Sequence, residues 1–238
     1  LITWDPVEEE IVAGYRLIRG TDVSTNEEGI YNLSTAHYFH FSEKFEKEYL
    51  PYTIELGRSF VQPKFQPGKD NRKGLFSLDN LWDGLGAIIE LNPDIKYLFG
   101  KVTMYPHYTK EARDLLLYFM NHYFPDPEKL VWPIRPLGYF TDVTPYEGIF
   151  DSLEYKEGYK ILNTRIRAMG ENIPPLINTY MGLSSTMKSF GTAQNEDFGE
   201  VEETGILITI ADIFDSKKER HISSFERDRH YGRPREKS

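Results

Sequence analysis

The chain has no cysteine. That removes disulfides, zinc–thiolate sites and thiol nucleophiles together, and fits a reducing cytoplasm. Long apolar runs are missing too. No stretch approaches the roughly 18 residues that a membrane-spanning helix needs. No signal peptide opens the chain. It starts at Leu1 with a strand pattern almost at once, so an N-terminal strand and helices are expected to be missing. Positive charge is short: the net charge is -9, which argues against a nucleic-acid binder that works by neutralising phosphates. The six histidines show no H-x-x-x-H or H-E-x-x-H spacing, so no metal site is expected.

What is present is enough for a core. The 238 residues are 39% hydrophobic and include 16 Tyr and 15 Phe. Residues 10–20, "EIVAGYRLIRG", alternate like a strand and end on glycine. Residues 41–50, "FSEKFEKEYL", space Phe41, Phe45 and Tyr49 by four, with Ser42 as a candidate N-cap, and read as a short amphipathic helix. Residues 52–63, "YTIELGRSFVQP", read as a strand, and residues 62–74 as a basic loop. Residues 75–93 carry apolar side chains at helical spacing up to Asn92-Pro93. Residues 95–104 read as a strand, and 109–124 as a helix capped by Thr109. Helices at 159–170 and 174–182 follow, then closing strands around "MKSFGTA" and "TGILITIADI". The order predicts an α/β (α+β) domain with a mixed sheet over residues 1–215. Residues 216–238 carry eight Lys or Arg against four Asp or Glu. They are expected to form a charged, basic tail with little fixed structure.

The chemistry-bearing stretch is residues 52–63. Glu55 and Arg58 lie three apart in it, with Gly57 between them. In a regular strand they would point to opposite faces. A β-bulge near Gly57 would bring them to one side and free a backbone N–H and C=O. Glu55 could then act as a general base held by Arg58, with the free N–H polarising a carbonyl. The alternative is a buried ion pair that only fixes packing.

"YTIELGRSFVQPKF", "LDNLWDGLGA", "KYLFGKVTM" and "IPPLINTYMG" together resemble the haemolysin-like, ornithine-lipid type of acyltransferase. This family is similar to N-acyl amino acid synthases and has the GNAT (GCN5-related N-acetyltransferase) fold. The resemblance runs from Thr3 to Ile213 and is strongest to the Bacteroidetes branch linked to glycine lipids. It implies a mixed central sheet flanked by helices, with two parallel strands splayed apart. The pantetheine arm of the donor would lie in that gap, and an amine would attack the acyl carbonyl directly. Glu55 is then the candidate base and Arg58 its partner, with Ser59, Phe60 and Val61 along the donor channel.

Coenzyme A-using members of the fold carry a glycine-rich pyrophosphate loop. Here "NRKGLF" has the single glycine Gly74. That suits the one phosphate of phosphopantetheine on an acyl carrier protein, held by Arg72, Lys73 and Gly74. Acyl-coenzyme A is the other donor, and no permanently bound cofactor is expected. Lys64, Lys69, Arg72 and Lys73, or Lys110 and Arg113, are candidate docking patches for an acidic carrier protein. Asn80 and Asp83 are candidates for the acceptor site. The basic tail could rest on an anionic membrane at the inner face.

The expected reaction is transfer of a long, 3-hydroxylated acyl chain to the α-amine of glycine or ornithine, in aminolipid synthesis. O-acylation of a lysolipid would need histidine followed five residues on by aspartate. Those positions hold Ser42, Phe45, Ala112, Pro127, Glu226 and Arg235, which counts against it. A non-catalytic lipid- or carrier-binding protein, haemolysin-like by phenotype only, is the other class. Glu202 and Glu203 read as a strand-edge pair with no chemical consequence.

Overall fold

The structure, a computed structural model, describes residues 1–66 and 77–221. The expected phosphate contacts Arg72, Lys73 and Gly74, and the docking candidate Lys69, lie outside these residues. So does the tail from residue 222. In chain order the elements are β1 (Ile2–Asp5), β2 (Glu10–Arg19), β3 (Phe39–Phe41), β4 (Thr53–Val61), α1 (Ser77–Leu91), β5 (Tyr97–Met104), α2 (Lys110–Tyr123), β6 (Val131–Pro133), α3 (Tyr155–Ala168), α4 (Pro175–Met181), β7 (Lys188–Asn195), β8 (Val201–Thr209) and α5 (Asp215–His221).

Six strands make one sheet in the order β1-β2-β4-β5-β8-β7. Only β4 and β5 run parallel; every other neighbouring pair is antiparallel. Strands β3 and β6 form a separate two-stranded ribbon. The central strands are covered on both faces. Leu98, Val102 and Met104 of β5 pack into the larger core, with Leu81 and Leu85 of α1 and Leu115 and Phe119 of α2. Phe99, pointing the other way, enters a second core with Leu33, Phe45, Val131 and Phe190. Two-sided burial is why residues 95–104 lack a clean polar face.

Local expectations meet the structure unevenly. Phe41, Phe45 and Tyr49 do stack in series, with centroids 5.0 and 6.1 Å apart. The Ser42 hydroxyl does accept the Phe45 N–H, at 3.0 Å. The turn that follows is a π-helical one over Phe45–Tyr49 rather than a regular α-helix, and Pro51 then closes it in a 3-10 turn. Thr109 precedes α2, but its hydroxyl makes no capping bond. Instead its N–H donates to Glu171 Oε1 at 3.0 Å.

Helix α3 starts at Tyr155, earlier than its periodicity suggested. The start of the charged segment is also not a tail. Residues 215–221 form α5, and His221 is buried with its Nδ1 2.7 Å from Asp83 Oδ1 of α1. The imidazole lies against α1, beside Trp82, Leu85 and Ile89, in an otherwise charged segment.

Two backbone features shape the sheet's centre. Gly14 to Arg16 of β2 is two steps, whereas the partners Phe60 to Gly57 of β4 are three. One extra residue therefore bulges from β4. The bulge falls where residues 52–63 suggested, but its left-handed residue is Arg58 (φ 48°), not Gly57. The second feature is the end of the parallel ladder. β4 and β5 pair from Thr53↔Tyr97 to Leu56↔Gly100, and both strands then run on unpaired to each other. Gly100 stands at this vertex because a Cβ there would meet the Leu56 carbonyl oxygen at 2.6 Å.

Candidate active site

Beyond Leu56 and Gly100 the two strands diverge, and a cleft of about 650 Å³ opens between them. Its two ends differ in chemistry because side chains alternate along each strand. On the helix side it is lined by Tyr15, Leu56, Leu176 and Tyr180. Opposite are Ser34, His37, Tyr38, Lys101, Thr103 and Glu203, with Asn195 at the end of β7 and Asp197 and Phe198 from the turn after it. Arg58, Ser59 and Phe60 line the cleft from the bulged half of β4.

At the helix-side end, burial pushes the Tyr15 phenol up to about 12, with the Tyr180 hydroxyl pulling the other way. Burial raises Tyr180 well above the usual phenol value. Both therefore stay protonated near neutral pH and can donate hydrogen bonds. The Tyr15 hydroxyl is enclosed against the Tyr180 hydroxyl, and no hydrogen bond of good geometry satisfies it. At the polar end, burial first, then the Asp197 and Glu203 charges, raise Tyr38, while Arg58 acts the other way. The Arg58 charge is thus felt at this end of the cleft.

Glu203 is 2% exposed. Lys101 Nζ donates to its Oε1 at 2.5 Å, Asn195 Nδ2 to Oε1 at 3.0 Å, and Thr103 Oγ1 to Oε2 at 2.8 Å. Thr103 sits directly across the ladder from Glu203, and Lys101 lies one diagonal step away. The Lys101 ammonium also stands over the Tyr38 ring, 5.0 Å from its centroid. Glu202, one residue back, turns to the other face and takes Arg113 Nε of α2 at 2.7 Å. The pair is therefore not at a strand edge: β8 lies between β5 and β7.

Glu55 is equally buried, at 2% exposure, but it does not line the cleft. Its Oε1 takes the N–H and the hydroxyl of Thr35, at 2.9 and 2.7 Å. Its Oε2 takes the Ser34 N–H at 3.2 Å and Arg16 Nη2 at 3.3 Å. The expected Glu55–Arg58 pair is thus corrected: the arginine on Glu55 is Arg16 of the neighbouring strand. The bulge turns Arg58 away, and among the described residues nothing holds its guanidinium in an ion pair.

The other expected residues divide as follows. Ser59 and Phe60 line the cleft. Val61 packs at the edge of the larger core. Asp83 is engaged by His221, and Asn80 is exposed on α1; neither reaches the cleft. Arg113 is no surface docking residue. It is 2% exposed and bound to Asp114, Glu202 and the Gly138 carbonyl. Lys64 is paired with Glu10.

Sequence reading missed Lys101, Glu203 and Asn195. A lysine inside the apolar run "YLFGKVTM" was the available signal, since alternation sets it with Thr103, opposite Val102 and Met104.

A strand pair that splays around an amphiphilic cleft can admit an apolar chain from one side and a small polar molecule from the other. A family model described as "Acetyltransferase (GNAT) domain" matches residues 1–72. A "Glycine N(alpha)-acyltransferase" from Phocaeicola vulgatus is 55% identical over 225 residues, covering 94% of this chain and 69% of the relative. A protein of the same name from Bacteroides thetaiotaomicron is 55% identical over 225 residues, covering 94% of this chain and 67% of the relative. No solved structure matches the chain. The chain belongs to this acyltransferase family and is a GNAT-type N-acyltransferase.

Proposed function

We propose that the protein transfers a long, 3-hydroxylated acyl chain from a thioester to the α-amine of glycine, as a step in aminolipid synthesis. The observation that carries this reading is the splay between β4 and β5, with apolar and polar ends on opposite faces of one sheet. The relatives' printed name favours glycine over ornithine as the acceptor. A single glycine in residues 71–76 favours a carrier-protein donor over coenzyme A. The excess of Lys and Arg after residue 216 favours peripheral contact with an anionic membrane, where the product would partition.

In this reading the thioester lies along the bulged half of β4. Backbone donors freed by the splay meet the acyl carbonyl, where negative charge develops during attack. The acyl chain runs toward Leu176 and Tyr180. Glu55 positions rather than reacts: three of its four donors tie residues 34–35, which bring Ser34, His37 and Tyr38 to the cleft, to β4, and the fourth is Arg16 of β2.

The test is acyl transfer by the purified protein, with products read by mass spectrometry. Donors are 3-hydroxypalmitoyl carrier protein and the matching coenzyme A thioester. Acceptors are glycine, ornithine, serine and lysine. N-acyl glycine formed from the carrier-protein donor is expected. Absence of any N-acyl product, with binding of donor retained, would leave a non-catalytic binding protein instead.

A further inference from the structure

Among the described residues, eight enclosed polar side-chain atoms lack a partner, and three of them belong to residues that line this one cleft: Tyr15 Oη, Ser34 Oγ and Asn195 Oδ1. Asn195 is 4% exposed, so its carbonyl oxygen is costly to leave unpaired. It sits beside the Glu203–Lys101 pair, where its own amide already donates to Glu203. The polar end therefore holds an anion, a cation and an empty acceptor within one enclosed group. An amino acid in its zwitterionic form presents an ammonium with three donors and a carboxylate with none, which is the complement of that set.

We propose that Glu203 and Asn195 bind the acceptor's ammonium, that Lys101 binds its carboxylate, and that Glu203 is the base that activates the amine. This rests on the acyltransferase reading above. Glu203 Oε2 accepts only Thr103 and keeps a lone pair for the ammonium. Before attack, one proton passes from the ammonium to the Glu203 carboxylate. The freed nitrogen lone pair then forms the N–C bond to the thioester carbonyl carbon. As the tetrahedral adduct collapses, the C–S bond breaks and its electron pair leaves with sulfur. The second amine proton goes to that sulfur, giving the amide and a free thiol, and Glu203 returns its proton to solvent.

The charged and titratable groups facing Glu203 are Lys101 from β5, Arg58 from β4, Tyr38 and His37 from the segment before β3, and Asp197 after β7. With two cations against two acids, a small zwitterion adds no net charge to an enclosed site. A cationic side chain such as ornithine's would add one.

Glu203→Gln keeps the shape. Its amide oxygen can take Lys101 and Asn195, and its NH2 can donate to the Thr103 hydroxyl. The expected result with glycine is a fall of at least 100-fold in kcat/KM at pH 7, shrinking to under tenfold near pH 9.5, where the amine arrives largely deprotonated. A structural defect would depress both pH values equally, and that pattern, or a fall under tenfold at pH 7, overturns the proposal.

Lys101→Met supplies a second readout if Glu203→Gln does not fold. KM for glycine should rise at least 30-fold, while KM for glycinamide, which lacks the carboxylate, should move under threefold. Equal changes for both acceptors would overturn Lys101's role. Wild-type protein that makes no N-acyl glycine would instead sink the acyltransferase reading itself, so the two failures are separable.

Discussion

Two carboxylates lie buried on the same face of one sheet, each 2% exposed, one on β4 and one on β8. Glu55 takes two backbone N–H groups, a hydroxyl and a guanidinium, and is closed off from the cleft. Glu203 takes three side-chain donors and opens onto it. Burial and charge are alike, so neither separates structure from chemistry. The donors do. A carboxylate whose oxygens are filled by backbone fixes a loop. One held by a lysine, an amide and a hydroxyl, next to an unpartnered acceptor, has ligand chemistry left over.

The largest expected contrast comes from changing each carboxylate to its amide. Glu55→Gln puts an NH2 where an acceptor faced Ser34 and Arg16, or where one faced Thr35. That should cost about 2–3 kcal/mol, or roughly 5–10 °C in Tm by circular dichroism. Activity per folded molecule should fall less than tenfold. Glu203→Gln removes the charge from the buried Lys101–Glu203 pair, so it should also destabilise, and it should lose two orders of magnitude in kcat/KM per folded molecule at pH 7. If the two variants exchange these profiles, Glu55 is the base and the assignment here is reversed.

The place where the strands part is the next target. At Gly100 a Cβ would lie 2.6 Å from the Leu56 carbonyl oxygen, and backbone gives way less easily than a side chain. Gly100→Ala should therefore destabilise by about 2 kcal/mol. It should also widen the splay, weakening donor binding more than glycine binding. Equal changes in KM for the two substrates would detach the vertex from the donor channel.

The elements that could be read in advance are those governed by short-range rules. The bulge follows from an acid, a glycine and a base in one strand, and α1 from its apolar spacing. The splayed parallel pair came with the family resemblance. Partner choice was not legible. Whether Glu55 meets Arg58 or Arg16 depends on which residue of β4 bulges out, a matter of one position in register. The left-handed position went to arginine although glycine stood beside it. Glu203 was hidden because its partners come from β5, 100 and 102 residues away, and from β7, 8 residues away. Only the sheet order brings them together. The Asp83–His221 contact was hidden the same way, since a sequence separation of 138 leaves no local trace.

At the opposite end of the cleft, phenols stand where the carboxylates stand at the polar end, and alkaline stability distinguishes them. Tyr15 is raised from 10.0 to about 12. A group raised in the folded state gives stability that is complete below the unfolded value and is lost as pH rises through the folded one. Between about pH 10 and 12 the unfolded chain ionises this phenol while the folded chain does not. Stability should fall by about 1.4 kcal/mol per pH unit from Tyr15 alone. Tyr15→Phe should remove that part of the slope in alkaline denaturation, leaving the unfolding curve below pH 9 nearly in place. An unchanged slope would mean that the hydroxyl reaches solvent.

The smallest effect belongs to Arg58, which lines the cleft and pairs with neither carboxylate. Its left-handed backbone is a conformation that glycine adopts freely and arginine does not. Arg58→Gly should stabilise the fold by about 0.5–1 kcal/mol. If the strain is kept for the sake of the charge near Tyr38 and Glu203, the same variant should bind glycine more weakly, raising KM a few fold with Tm up by about 2 °C. Glu55's contacts would be untouched, because Arg16 supplies its guanidinium. Should stability drop instead, Arg58 is holding β4 in place, and Glu203 and Lys101 alone would carry the charge at that end of the cleft.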